Sequence, residues 1–125
     1  MKWDINENKA IHPQIVDEII RRIINEEYFL SEKIPSVRDL AIEAKVNPNT
    51  MQKALIELED KGIIHTQRTS GKYVTSNKEL IENLKIKTAN KITREFIQNM
   101  KNLNFNTTDI IKIIKKEMEE TNDSL

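Results

Sequence analysis

The stretch Lys45-Val46-Asn47-Pro48-Asn49-Thr50-Met51-Gln52-Lys53-Ala54-Leu55-Ile56-Glu57-Leu58-Glu59-Asp60-Lys61-Gly62 decides how this chain is read. Asn47 is a strong N-cap residue, and Pro48 suits the first helical position, where a missing N–H costs nothing. Met51, Ala54, Leu55 and Leu58 follow the spacing of one buried helix face. Gly62 stands where a helix needs a left-handed residue to stop. The opposite face carries Asn49, Gln52, Lys53 and Ile56. The start of the helix holds amides and a hydroxyl but no acid. Capping accounts for Asn47 and Pro48, but not for the polar set that follows them.

Upstream, "PSVRDLAIEAKV" reads as a short helix ending near Ala44. Ser36 is its cap and Asp39 stands three residues on, an arrangement like a capping box. Val37, Leu40, Ala41 and Ala44 form its apolar face. Before it, Ile15, Ile19, Ile20, Ile23 and Ile24 recur at helical spacing from a start near Ile11 or His12. Pro13 falls in the first turn of that helix. Asp17, Glu18, Arg21 and Arg22 are expected to face water.

Downstream, "IIHT" and "KYVT" favour strands, and "QRTSG" separates them. Gly71 sits where a hairpin needs a positive φ. The order is helix, helix, turn, helix, hairpin, which is a winged helix-turn-helix. The fold class is therefore mainly α with a small β-wing.

Every Gly and Pro of the chain (Pro13, Pro35, Pro48, Gly62, Gly71) precedes residue 75. Two parts are expected: residues 1–75 as the winged domain and residues 76–125 as a helical dimerisation region. A helix from Asn77 to about Leu103 would be about 40 Å long. "NFNTTD" should break it, with Thr107 or Thr108 capping a last helix from Asp109 to Glu120 and a frayed tail after it. Leu84, Ile92, Phe96, Ile97, Met100, Ile110, Ile111 and Ile114 are the candidate dimer core.

Composition narrows the function classes. The chain has 125 residues with 20 basic and 20 acidic side chains, so net charge points to no polyanion. The local balance differs: between Lys45 and Thr75 the bases Lys45, Lys53, Lys61, Arg68 and Lys72 outnumber Glu57, Glu59 and Asp60. There is no cysteine, which removes disulfides, thiolate metal sites and Cys nucleophiles. His12 and His65 lack carboxylates at ligand spacing, so no metal and no cofactor is expected. His65 is read as structural and Trp3 as an anchor for the N-terminus. No apolar run approaches the roughly 20 residues of a membrane span. The N-terminus lacks a signal-peptide core, and the protein is read as cytoplasmic. There is no nucleophile–base set and no phosphate loop, so an enzyme has no candidate site.

The third helix has chemistry suited to duplex DNA. Asn and Gln side chains can pair bidentately with adenine in the major groove. Lys53 can reach guanine or a phosphate. A helix N-terminus free of acids favours a phosphate through its open N–H groups. For Asn49, Gln52 and Lys53 alone, an ordinary solvated face is the simpler reading; on helix three of a winged helix, contact with DNA is the better one. Asn47 is a cap, with a DNA role left open. Arg38 on helix two is read as a phosphate contact in preference to an ion pair with Asp39 or Glu43. In the wing, Arg68, Thr69, Ser70, Gly71 and Lys72 are read mainly as backbone contacts.

Residues 34–74, "IPSVRDLAIEAKVNPNTMQKALIELEDKGIIHTQRTSGKYV", resemble the DNA-binding domain of GntR-family bacterial repressors, and of the YtrA subfamily in particular. "AIHPQIVDEI" is similar to that subfamily's first-helix entry. The resemblance implies a homodimer on an inverted-repeat operator of double-stranded DNA. The matching positions are Arg38, Asn47, Asn49, Thr50, Gln52, Lys53, Arg68 and Gly71, with Pro48 at the start of the same motif. It also implies a short two-helix C-terminal region, and target genes often encoding ABC transporters. Leu30-Ser31-Glu32-Lys33 replaces the Pro-Gly turn usual before "IPS", the wing tip has one glycine where many relatives have two, and His12 replaces a common Tyr. A small-molecule effector, unidentified, would have to bind at the dimer seam or between the two parts. The rival readings are a winged-helix module that binds protein, and a DNA-binding protein of plasmid or phage maintenance.

Overall fold

The computed structural model describes residues 2–123. The elements follow in the order α1 (Ile11–Ile24), α2 (Val37–Ala44), α3 (Pro48–Asp60), β1 (Ile64–Gln67), β2 (Gly71–Val74), α4 (Lys78–Asn102) and α5 (Thr107–Asp123). The winged helix-turn-helix order read from the sequence is the order observed.

Local chemistry sets the boundaries. Ser36 Oγ accepts from the Asp39 N–H at 3.1 Å and starts α2. Lys45 ends it in the left-handed region, at φ 57°. Asn47 Oδ1 then accepts from the Asn49 N–H at 2.7 Å, and Pro48 follows as the first helical residue of α3. At the far end, Gly62 adopts φ 75°. Its N–H donates to Glu59 O at 2.9 Å and the Ile63 N–H donates to Leu58 O at 3.0 Å. This is the paired closure of a Schellman motif, which a side chain at position 62 would strain.

The strands pair antiparallel, with Ile64 opposite Val74 and Gln67 opposite Gly71. The hairpin is tighter than the sequence suggested: β1 extends to Gln67 and β2 begins at Gly71, so only Arg68, Thr69 and Ser70 form the tip. The segment before α2 adds to β2. Ile34 N donates to Lys72 O and Val74 N to Glu32 O, both at 2.9 Å. Ser31 takes φ 66° in that segment, the left-handed turn that a Pro-Gly would otherwise supply.

The core lies between α1, α2, α3 and the wing. Ile15, Ile19, Leu40, Met51, Leu55, Leu58, Ile63, Ile64 and Val74 are essentially inaccessible to water. Fully burying such side chains contributes roughly 1.5–3 kcal/mol each before entropy is subtracted. Arg22 corrects the sequence reading: it was expected to face water, yet it is 0% exposed. It stands at the edge of the Ile15–Ile19–Ile23 stripe, and residues distant in sequence close over it.

Contacts divide the chain into two compact units, residues 1–84 and 85–125. Leu80, Ile81 and Leu84, on the first turns of α4, pack with the core of the first unit. In the second unit Asn106, not Thr107 or Thr108, caps α5. Its Oδ1 accepts from Asp109 N at 2.9 Å, and a short amide reaches that N–H as well as a hydroxyl does. The helix continues past Glu120 to Asp123 instead of fraying, and Ser124 and Leu125 lie outside the described residues. No helix among the described residues is long and apolar enough to cross a membrane.

Candidate nucleic-acid interface

The free face of α3 is set by what its other face buries. Met51, Ala54, Leu55 and Leu58 are fully buried, which turns Asn49, Gln52, Lys53 and Ile56 outward. Asn47 and Pro48 are exposed at the helix start, and Thr50 is half-buried beside them. The first turn of α3 contains no acidic residue. The partial positive charge of that terminus is therefore not offset by a neighbouring carboxylate. Lys53 forms no ion pair among the described residues.

Arg38 sits in the first turn of α2 and is exposed. It pairs with neither Asp39 nor Glu43 among the described residues. Glu43 is turned away from it, toward the Trp3 indole N–H at 3.3 Å and Arg22 at 3.7 Å. The Arg38 guanidinium is thus left to solvent in the first turn of α2.

Two of the three acids of α3 are engaged. Glu57 Oε1 meets His12 Nε2 at 2.8 Å, and Glu57 Oε2 accepts from Lys61 at 2.9 Å. The bonds from His12 and Lys61 hold the Glu57 carboxyl below the usual carboxylate range. Burial pushes the Glu59 carboxyl up, but bonds from Lys72 and Thr66 outweigh it and leave it lowered. Asp60 is exposed at the C-terminal end of α3.

The wing tip divides by exposure. Arg68 and Thr69 are exposed, and Arg68 forms no ion pair among the described residues. Ser70 is half-buried and its hydroxyl bonds to the Tyr73 phenol. Gly71 takes φ 123°, and a Cβ there would lie 3.0 Å from the Lys33 Cε. His65 stacks on Tyr73 at 5.9 Å between ring centroids. Lys72, grouped with the DNA contacts from sequence, is placed differently. Its ammonium lies 2.6 Å from Glu59 Oε1 and 2.9 Å from Thr66 Oγ1, with the side chain 14% exposed. Nothing along the chain signals this cluster, because its members come from three elements.

In the second unit, Ile92, Phe96, Ile111 and Ile114 are exposed, and Ile97 and Met100 are half-buried. Of the other two candidate dimer residues, Ile110 is already buried, and Leu84 packs against the core of the first unit. Among the described residues no cluster of His, Cys, Asp or Glu is placed to hold a metal ion.

Comparison with known proteins agrees with this geometry. The family profile "Bacterial regulatory proteins, gntR family" matches residues 12–74. The HTH-type transcriptional regulator YhcF of Bacillus subtilis is 36% identical over 108 residues, covering 86% of this chain and 89% of that protein. The HTH-type transcriptional repressor YtrA of the same organism is 38% identical over 74 residues, 59% of this chain and 57% of that protein. Among solved structures, a GntR family transcriptional regulator from Listeria monocytogenes is similar with a TM-score of 0.84 and 41% identity, over 90% of this chain and 98% of that one. YtrA from Sulfolobus acidocaldarius, a GntR-family transcription factor, gives a TM-score of 0.52 at 30% identity, over 98% of this chain and 99% of that one.

Proposed function

Since the chain belongs to the GntR family of bacterial regulatory proteins, YtrA subfamily, we propose that it is a homodimeric repressor of transcription that reads an inverted-repeat operator through α3. DNA-binding regulation is the family's business; the operator, the dimer and the direction of regulation are this proposal. One observation carries it. The first turn of α3 is free of acid and the helix presents exposed Asn49, Gln52 and Lys53, while Arg38 on α2 is exposed and forms no ion pair among the described residues.

In this reading α3 enters the major groove, where Asn49 and Gln52 meet base edges and Lys53 meets a base or a phosphate. Arg38 and Arg68 hold the flanking backbone and fix the register. The exposed apolar side chains of residues 85–125 join two copies, so that two α3 helices meet half-sites about one helical turn or a multiple apart. Repression follows the name of the YtrA relative. The resemblance to that subfamily makes a transporter operon the target to look at first.

Selection of genomic DNA fragments by the purified protein tests the proposal. An enriched palindromic motif upstream of a small set of operons is expected. Absence of any enriched motif, with no salt-dependent affinity for duplex DNA, would overturn it in favour of a protein-binding winged helix.

A further inference from the structure

The wing of this protein is fastened to the recognition helix by one carboxylate. Glu59, on the last turn of α3, accepts from Lys72 Nζ at 2.6 Å and also from the Thr66 hydroxyl. Lys72 and Thr66 in turn touch each other at 2.9 Å. Thr66 and Lys72 are register partners, directly opposite across the hairpin. Glu59 therefore grips both strands of the wing at a single rung. The rung stands one step below the tip, where Arg68 projects.

We propose that Glu59 and Lys72 are positioning residues for DNA reading: they set the distance and angle between α3 and the wing tip, and Lys72 is not a phosphate contact. This rests on the reading of α3 and the wing as the elements that touch DNA. Three features favour positioning over contact. The Lys72 ammonium is already neutralised at ion-pair distance and its side chain is mostly covered. Moving it to a phosphate would strand Glu59, partly buried, beside a polyanion. Arg68, at the wing tip, is both exposed and without an ion pair among the described residues, so the wing has a better phosphate ligand there.

The two roles predict opposite signs. A carboxylate near a DNA face ordinarily repels the phosphates, so removing its charge should tighten binding. If Glu59 is the fastening, removing its charge loosens the wing and weakens binding. The experiment uses the full chain and the genomic fragment that the wild-type protein enriches, titrated over a range of salt. Glu59→Gln is expected to weaken operator binding roughly fivefold, about the net worth of one ordinary hydrogen bond. Lys72→Met is expected to weaken binding with the slope of log K against log salt unchanged, whereas Arg68→Ala lowers that slope by about one contact. The exchange Glu59→Lys with Lys72→Glu keeps the pair and is expected to recover affinity relative to either single charge reversal. Tighter binding by Glu59→Gln, or a flattened slope for Lys72→Met equal to that of Arg68→Ala, overturns the proposal. If the wild-type protein shows no salt-dependent affinity for the duplex, the DNA-reading proposal itself fails, which is a distinct result. Far-UV circular dichroism of each variant separates loss of fold from loss of wing position.

Discussion

The indole of Trp3 lies over the guanidinium of Arg22, with Arg22 Cζ 4.2 Å from the ring centroid. The same guanidinium donates to Glu18 at 2.7 Å, to the Tyr28 phenol at 3.2 Å and to the Lys2 carbonyl at 3.2 Å. Trp3 Nε1 continues the chain of contacts to Glu43 on α2. A single buried cation thus ties the N-terminal segment to α1 and α2. Arg22→Ala is expected to destabilise the first unit by about 2–4 kcal/mol, because it empties a fully buried site and leaves the Tyr28 phenol and the Lys2 carbonyl without their donor, while Glu18 keeps Arg21. Trp3→Phe is expected to cost only about 0.5–1 kcal/mol, since much of the stacking survives. Urea unfolding followed by circular dichroism checks both. Equal effects from the two substitutions would show that Arg22 is not the centre of the network.

Acid should weaken the first unit. The hydrogen bond from Arg21, opposed by burial and reinforced by Arg22, lowers the Glu18 carboxyl, and Glu59 is lowered by Lys72 and Thr66 against burial. A carboxyl lowered in the folded state contributes stability that is complete above its unfolded value of about 4.3 and is lost as pH falls through the folded value. The urea midpoint is therefore expected to hold from neutral pH down to about 5 and to decline below that. Glu18→Gln should lower the midpoint at pH 7 and make the acid decline shallower. An unchanged acid decline in that variant would place the titrating groups elsewhere.

Arg38 and Gln52 should fail in different ways. Arg38→Ala is expected to weaken binding to every duplex and to reduce the salt slope by about one contact. Gln52→Ala is expected to keep the slope and to relax preference at one base pair, at about 1–3 kcal/mol. Competition titrations against singly substituted operator fragments read the difference. A Gln52→Ala protein with undiminished base preference would remove Gln52 from the reading face.

Ser31 holds φ 66° while its N–H faces the carbonyls of Val74 and Thr75. A left-handed conformation costs an L-residue roughly 1–2 kcal/mol, part of which glycine returns as extra freedom of the unfolded chain. Ser31→Gly is expected to stabilise the protein by about 0.5–1 kcal/mol, with DNA affinity unchanged. A lower thermal midpoint would mean that the Ser31 side chain contributes more than its backbone strain costs.

The apolar side chains of the second unit give a separate prediction. Ile114 on α5 is exposed at 42% and Ile92 on α4 at 62%. Placing a carboxylate in the interface they are proposed to form should disfavour association by several kcal/mol. Ile114→Glu is expected to sediment as a monomer and to bind the operator much more weakly. A variant that remains a dimer at low micromolar concentration would locate the interface away from α5.

The sequence by itself determined the elements of the first unit, because their signals act over short distances. The Ser36 and Asn47 caps, Pro48, the Met51–Ala54–Leu55–Leu58 stripe and Gly62 each act within about one helical turn, which fixes the boundaries and the outward face of α3. The quoted motifs were also enough to place the chain in its family. Tertiary structure decided which charges are free. Arg22 looked like a solvated helix residue until Lys2 and Trp3 closed over it. Lys72, read from sequence as a DNA contact, lies at ion-pair distance from Glu59, 13 residues away. Glu57 reaches back 45 residues to His12. Charge pattern along the chain carries no sign of such partners, since an ion pair forms between whatever surfaces the packing of helices brings together. The hydrophobic faces set that packing, which leaves Arg38, Lys53 and Arg68 exposed and without an ion pair among the described residues.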